Sequence, residues 1–153
     1  MAMLKIPDER ASQLKRLSRH HGKPMTEVLG SLIAQELEKE GLSRDMPGLG
    51  AEVVKTNVGL RIAITVENIT TAGLNVSEAI GLANAIDQIS HKAGRASVSF
   101  KSTSDKMEVD RVGSAVRLAI HDDLTETAAK RVMPVSIAQE FAHQIRLAAE
   151  RAA

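Results

Sequence analysis

Between Leu4 and Leu37 the chain reads LKIPDERASQLKRLSRHHGKPMTEVLGSLIAQEL, a stretch whose punctuation leaves few ways to fold. Leu4 and Ile6 alternate with Met3 and Lys5, which is the period of a short strand. Pro7 lacks the N–H that a longer ladder needs, and Asp8 can cap a helix starting there. Ala11, Leu14, Leu17 and Ser18 then recur at helical spacing as far as Gly22, a residue suited to ending a helix. Pro24 fits the first turn of a second helix, which carries Val28, Leu29, Leu32, Ile33 and Leu37 on one face. One strand and two short helices cannot bury that much apolar surface on themselves. The segment needs a second copy.

The order strand, Lys5-Ile6-Pro7-Asp8-Glu9, Leu14, Leu17, Gly22, basic Lys23 and then Thr26-Glu27 resembles the ribbon-helix-helix (Arc/MetJ-like) DNA-binding family. The resemblance covers residues 1–40. It implies that two chains pair their strands into an antiparallel ribbon that lies in the major groove of double-stranded DNA. On that footing Lys5, Met3 and Met1 face base edges, while Leu4 and Ile6 point inward. Pro24, Met25 and Thr26, at the start of the second helix, present backbone amides to a phosphate. Lys23, Lys15, Arg16 and Arg19 add further phosphate contacts and salt-dependent affinity. Two of the three outward positions are methionines, which read little beyond a thymine methyl. Discrimination then leans on DNA shape and on neighbouring dimers.

Charge follows the same division. From Met1 to Thr26, Lys5, Arg10, Lys15, Arg16, Arg19 and Lys23 stand against Asp8 and Glu9, a balance of +4. From Glu27 to Asp45, Lys39 and Arg44 stand against Glu27, Glu36, Glu38, Glu40 and Asp45, a balance of −3. The net charge of +1 hides this polarity, which aims the positive end at a polyanion. His20 and His21 read as surface residues rather than metal ligands. The chain has no cysteine, which excludes disulfide scaffolds, thiolate zinc sites and cysteine catalysis. No apolar leader precedes the strand and no apolar run approaches a membrane span, so the expectation is a soluble, cytoplasmic, nucleoid-associated protein. Phe100 and Phe141 are the only aromatics. Such scarcity argues against base-stacking recognition of single strands or RNA.

Residues 41–50 (GLSRDMPGLG) read as a linker, and residues 51–153 as a duplicated α/β domain with repeats 51–93 and 107–152. AEVVKTNVGLRIAITVE, from Ala51, aligns without gaps on MEVDRVGSAVRLAIHDD, from Met107. VSEAIGLANAIDQISHKA, from Val76, pairs with VSIAQEFAHQIRLAAERA, from Val135, after a small insertion. Each repeat is expected to be a long strand, bulged near Asn57–Gly59 and Gly113–Ser114, followed by a helix. An extra strand lies between them at Ala96–Ser102, turning at Ser104-Asp105-Lys106. The order is β-α-β-β-α, with helix starts at Asn75 or Ser77 and at Pro134, and Gly94 ending the first helix. The fold class is thus α+β: a ribbon-helix-helix module followed by a duplicated β-α / β-β-α domain that packs helices on a small sheet.

No catalytic constellation, phosphate-binding glycine loop or metal-ligand spacing stands out, so neither an enzyme nor a cofactor is expected. Arg61 and Arg117 recur within apolar strands and read as solvent-facing. Glu52/Glu108 and Lys55/Arg111 read as cross-strand pairs. His121-Asp122-Asp123 reads as a solvated loop cluster. The expected protein is a homodimeric DNA-binding transcriptional repressor, with the second domain joining dimers or receiving a protein partner or effector. An accessory protein of plasmid conjugation or partition is the alternative, and an antitoxin ranks below it because its partner segment is usually disordered.

Overall fold

The computed structural model describes residues 3–92, 94–100, 105–122 and 126–153. The chain forms two compact units, Met1–Arg44 and Asp45–Ala153. In the first, Met3–Pro7 leads into a helix outside any strand. Ladder bonds need a second strand alongside, and among the described residues no segment of this chain pairs with it.

Helix α1 (Asp8–His21) starts behind Pro7, the residue at the cap position, so Asp8 lies inside the first turn instead of capping it. There Asp8 and Glu9 oppose the positive end of the helix dipole. The helix stops at Gly22, whose φ of 63° is left-handed, and the Lys23 amide donates back to the Ser18 carbonyl at 3.1 Å. Helix α2 (Met25–Lys39) begins behind Pro24, whose carbonyl accepts from the Glu27 and Val28 amides.

The second unit contains β1 (Leu49–Thr56), β2 (Gly59–Val66), β3 (Ile69–Thr70), α3 (Val76–His91), β4 (Arg95–Ser99), β5 (Asp105–Val112), β6 (Ala115–Asp122), β7 (Thr127–Pro134) and α4 (Val135–Ala152). The strands form two antiparallel sheets, β1-β2-β3 and β4-β5-β6-β7, rather than one small sheet. Each expected long strand is instead a hairpin. The chain reverses at Asn57-Val58 before Gly59 (φ 109°), and again at Gly113-Ser114, where Gly113 has φ 61°. Glycine adopts these angles without a Cβ penalty, so the positions expected to bulge a strand close a turn. Leu49 and Gly50, expected in the linker, are already paired in β1.

Strand β7 has no counterpart among the expected elements. Its sequence, TAAKRVMP, is rich in alanine and cations, and it pairs with β6 along its whole length. Tertiary pairing overrides its weak strand propensity. Asn75 caps α3, its Oδ1 accepting from the Glu78 amide at 2.8 Å, while α3 ends at His91 and Lys92 rather than at Gly94.

The two hairpins match in register. Every boundary of β5-β6 lies 56 positions after its counterpart in β1-β2 (105 − 49 = 56), and the cross-strand pairs repeat at that offset. The helices pack on each other, with α4 across β1 and β2 and α3 against β4 and β5. Ala79/Ala138, Leu82/Phe141, Ala83/Ala142 and Ile86/Ile145 are all fully buried. Leu60 and Val116 break the match, since Leu60 is exposed at a hairpin end while Val116 is buried. Both phenylalanines, Phe100 and Phe141, join the aliphatic core.

Gly73 is a sharp packing constraint: a Cβ there would lie 2.4 Å from the Arg61 Cβ, which cannot swing away. Gly73→Ala is expected to lower stability by about 1–3 kcal/mol in urea unfolding. Gly81, in mid-α3 with open space around it, is the contrast, and Gly81→Ala is expected to raise stability by about 0.5–1 kcal/mol.

Candidate nucleic-acid interface

Helical geometry separates the two faces of α1. Leu14 and Ser18 are half-buried with Leu17 beside them, and Lys15, Arg16 and Arg19 project from the opposite side, all exposed. Leu14 and Ser18 are four residues apart, as are Lys15 and Arg19, so each set forms its own stripe. At the helix end Arg19, His20 and His21 favour the negative pole of the dipole. The two imidazoles meet edge to face at 5.2 Å.

The other expected contact residues divide by location. Lys5 is exposed and Met3 is 89% exposed, whereas Met1 lies outside the described residues. Pro24, Met25 and Thr26 are exposed at the N-terminus of α2. The first amides of a helix have no acceptor within it, so those of Met25 and Thr26 point along the axis toward whatever approaches. Lys23 stands one residue before Pro24 but forms an ion pair with Glu27 at 3.7 Å. A phosphate at Lys23 therefore competes with a carboxylate one helical turn away. Being solvent-exposed, that pair is weak.

Apolar exposure is concentrated in the same unit. Val28 is its only buried residue among those described, and Leu29 and Leu37 are half-buried. Leu4 is 83% exposed and Ile33 52%, with Ile6, Leu17, Met25, Leu32 and Leu42 also exposed. Among the described residues, eight of the thirteen large hydrophobics that are exposed fall within the first 44 positions. So dense an apolar surface on a short segment is the composition that association faces have.

The second unit resolves the remaining polar candidates. Arg117 grips Asp110 across the β5-β6 pair with two bonds, at 3.0 and 2.7 Å. Arg61 holds the matching place in β2 but faces Val54, and its stem lies over Gly73. Arg61 is half-buried and has no ion pair among the described residues. Glu108 pairs with Arg95 of β4 at 2.6 Å, not with Arg111. That interaction raises the pKa of the Arg95 guanidinium, first through the hydrogen bond and then through the carboxylate charge. Arg111 reaches the last carbonyls of α3, bonding the Ser90 oxygen at 2.8 Å. The expected cross-strand pairs of Glu108 and Arg111 are thus replaced by a β4 partner and a helix cap, while neither Glu52 nor Lys55 has an ion pair among the described residues.

Sequence reasoning also missed Arg131, which donates to the Pro47 carbonyl and pairs with Glu67 at 3.5 Å. It sits in the segment that reads as an insertion, where no repeat partner draws notice. Asp123 lies outside the described residues. Among the described residues, no three His, Asp or Glu side chains gather as a metal-ligand group, and no helix is long and apolar enough to cross a membrane. No protein-family model matches the chain, and comparisons with curated proteins and with solved structures likewise return no match.

On a chain that stays single, Leu32→Glu with Ile33→Glu changes two exposed residues and is expected to alter folding by less than about 0.5 kcal/mol per site. On an association face the same pair dissociates the assembly. Sedimentation velocity is expected to show the double variant at half the mass of the unsubstituted protein.

Proposed function

We propose that the chain is a homodimeric DNA-binding protein of the ribbon-helix-helix type that represses transcription by occupying operator DNA. The observation that carries this reading is the composition of the first unit's surface. An exposed apolar set calls for a second copy, and an exposed cationic stripe lies on the other side of α1. In the dimer, Leu4 and Ile6 turn inward and Lys5 faces the major groove from a two-stranded ribbon. Burying each exposed leucine or isoleucine contributes about 1.5–3 kcal/mol to the pairing. The amides of Met25 and Thr26 and the cations Lys15, Arg16, Arg19 and Lys23 hold the backbone phosphates.

The second unit is, on this proposal, a tandem duplication, supported by the 56-residue offset at which the hairpin registers repeat. It joins neighbouring dimers on DNA. That role suits a ribbon whose outward face has one hydrogen-bonding side chain, Lys5, beside methionines, because discrimination per dimer is then modest.

Selection from a random duplex pool, followed by sequencing, tests DNA recognition directly: an enriched motif is the expected outcome. Lys5→Ala is expected to weaken the selected site more than random duplex. Equal losses on both would remove Lys5 from base reading. Replacing Lys15, Arg16 and Arg19 with alanine keeps good helix formers in α1. It is expected to flatten the dependence of log affinity on log salt by about 0.9 for each phosphate no longer neutralised, with similar losses on every sequence.

A further inference from the structure

The matched hairpins of the second unit differ at one edge. Strand β4 covers the outer edge of β5, pairing antiparallel from Arg95↔Asp110 to Ser99↔Lys106. Ala96 and Val98 are half-buried against the core, Phe100 is buried, and Arg95 reaches Glu108 at 2.6 Å. The counterpart of β5 is β1, which is the edge strand of its sheet. Among the described residues no backbone group of Ala51–Thr56 bonds outward from that edge. Glu52 occupies the position of Glu108 (108 − 56 = 52), is exposed, and has no ion pair among the described residues.

From this we infer that the outer edge of β1 is a strand-addition site for an extended segment of a protein partner, apolar at alternate positions and bearing a cation that meets Glu52. An eight-residue edge without proline offers a row of backbone donors and acceptors to such a segment. The apolar side chains of the added strand would lie on the face of the sheet that α4 crosses. Arg146 marks the α3 side of α4 by its bonds to Asp87 and Asn84, and Ile137 and Leu147 lie on other flanks, both half-buried.

A second copy of β1 complements this edge poorly. Antiparallel pairing sets same-face residues opposite one another, so Glu52 would meet Gly50, Glu52, Val54 or Thr56. The strand's only cation, Lys55, lies on the other face. A basic partner segment supplies what self-pairing cannot. The inference rests on the matched registers and is independent of DNA binding.

A labelled, end-capped peptide with the sequence of Gly94–Phe100, GRASVSF, is the probe, titrated by fluorescence polarisation against the full chain without DNA. Saturable binding is expected. Glu52→Lys, with unchanged circular dichroism, is expected to weaken it about fivefold or more, and the peptide bearing Arg95→Glu is expected to restore binding to that variant. No saturable binding overturns the proposal. So does loss on Glu108→Lys with Glu52→Lys unaffected, which would put the peptide on β5 in exchange for β4. Protection from hydrogen exchange, before any peptide is added, of those alternate Ala51–Thr56 amides that do not bond β2, together with a mass above that of the dimer formed by the first unit, would assign the edge to a second copy and overturn it equally.

Discussion

Small side chains let α3 and α4 lie close to each other and to the sheets, and the second unit depends on that proximity. Ala79, Ala83, Ala85, Ala138, Ala142, Ala148 and Ala149 are all buried, and each removes little area from water. A core of such residues is thin, so it must be long. The chain achieves length by engaging both sheets, with α4 over the first hairpin and α3 over the second. Each helix thereby covers strands from the other half of the sequence, which ties the halves together more firmly than packing within each half would. The larger side chains, Leu82, Ile86, Met107, Phe141 and Ile145, fill the space that remains.

The first unit solves the burial problem differently. Its helices have amphipathic sequences but only Val28 is sequestered among the described residues. The cationic stripe of α1 is therefore solvent-facing in one chain and its apolar stripe is only partly covered, and a partner surface is the ordinary remedy for the latter. On the proposed reading the two are coupled: a face that buried leucines on a second copy would also fix where Lys15, Arg16 and Arg19 stand relative to their copies, and regularly spaced cations would suit a regularly spaced polyanion.

Helix boundaries are legible in the sequence because proline, glycine and asparagine act locally: Gly22, free of a Cβ, takes the left-handed angle that ends α1, and the Asn75 side chain caps α3. The match between the two hairpins is legible because the aliphatic alternation of Ile62-Ile64 recurs in Leu118-Ile120. The hairpins read as long strands because a two-residue reversal preserves that alternation on both sides, and only the positive φ of Gly59 and Gly113 betrays the turn. Strand β7 is illegible for a different reason. Ala128, Ala129, Lys130 and Arg131 carry no strand signature, and β6 imposes the conformation on them. In the candidate interface the identity of the exposed cations is readable from helical spacing. The Lys23–Glu27 pair is readable in principle from its four-residue separation, whereas the partners of Arg95, Arg111 and Arg131 require the register.

The Arg131 interactions have a mechanical side. The chain enters the second unit through Pro47 and Gly48, and there three bonds converge: Arg131 to the Pro47 carbonyl, Arg131 to Glu67, and the Glu67 amide to the Gly48 carbonyl at 2.7 Å. An edge strand ordinarily peels from its free end. Here tension transmitted along the backbone from residue 44 arrives at a rivet between the last strand of one sheet and the turn after β2. Opening β1 from Leu49 therefore breaks these bonds as well as the β1-β2 ladder.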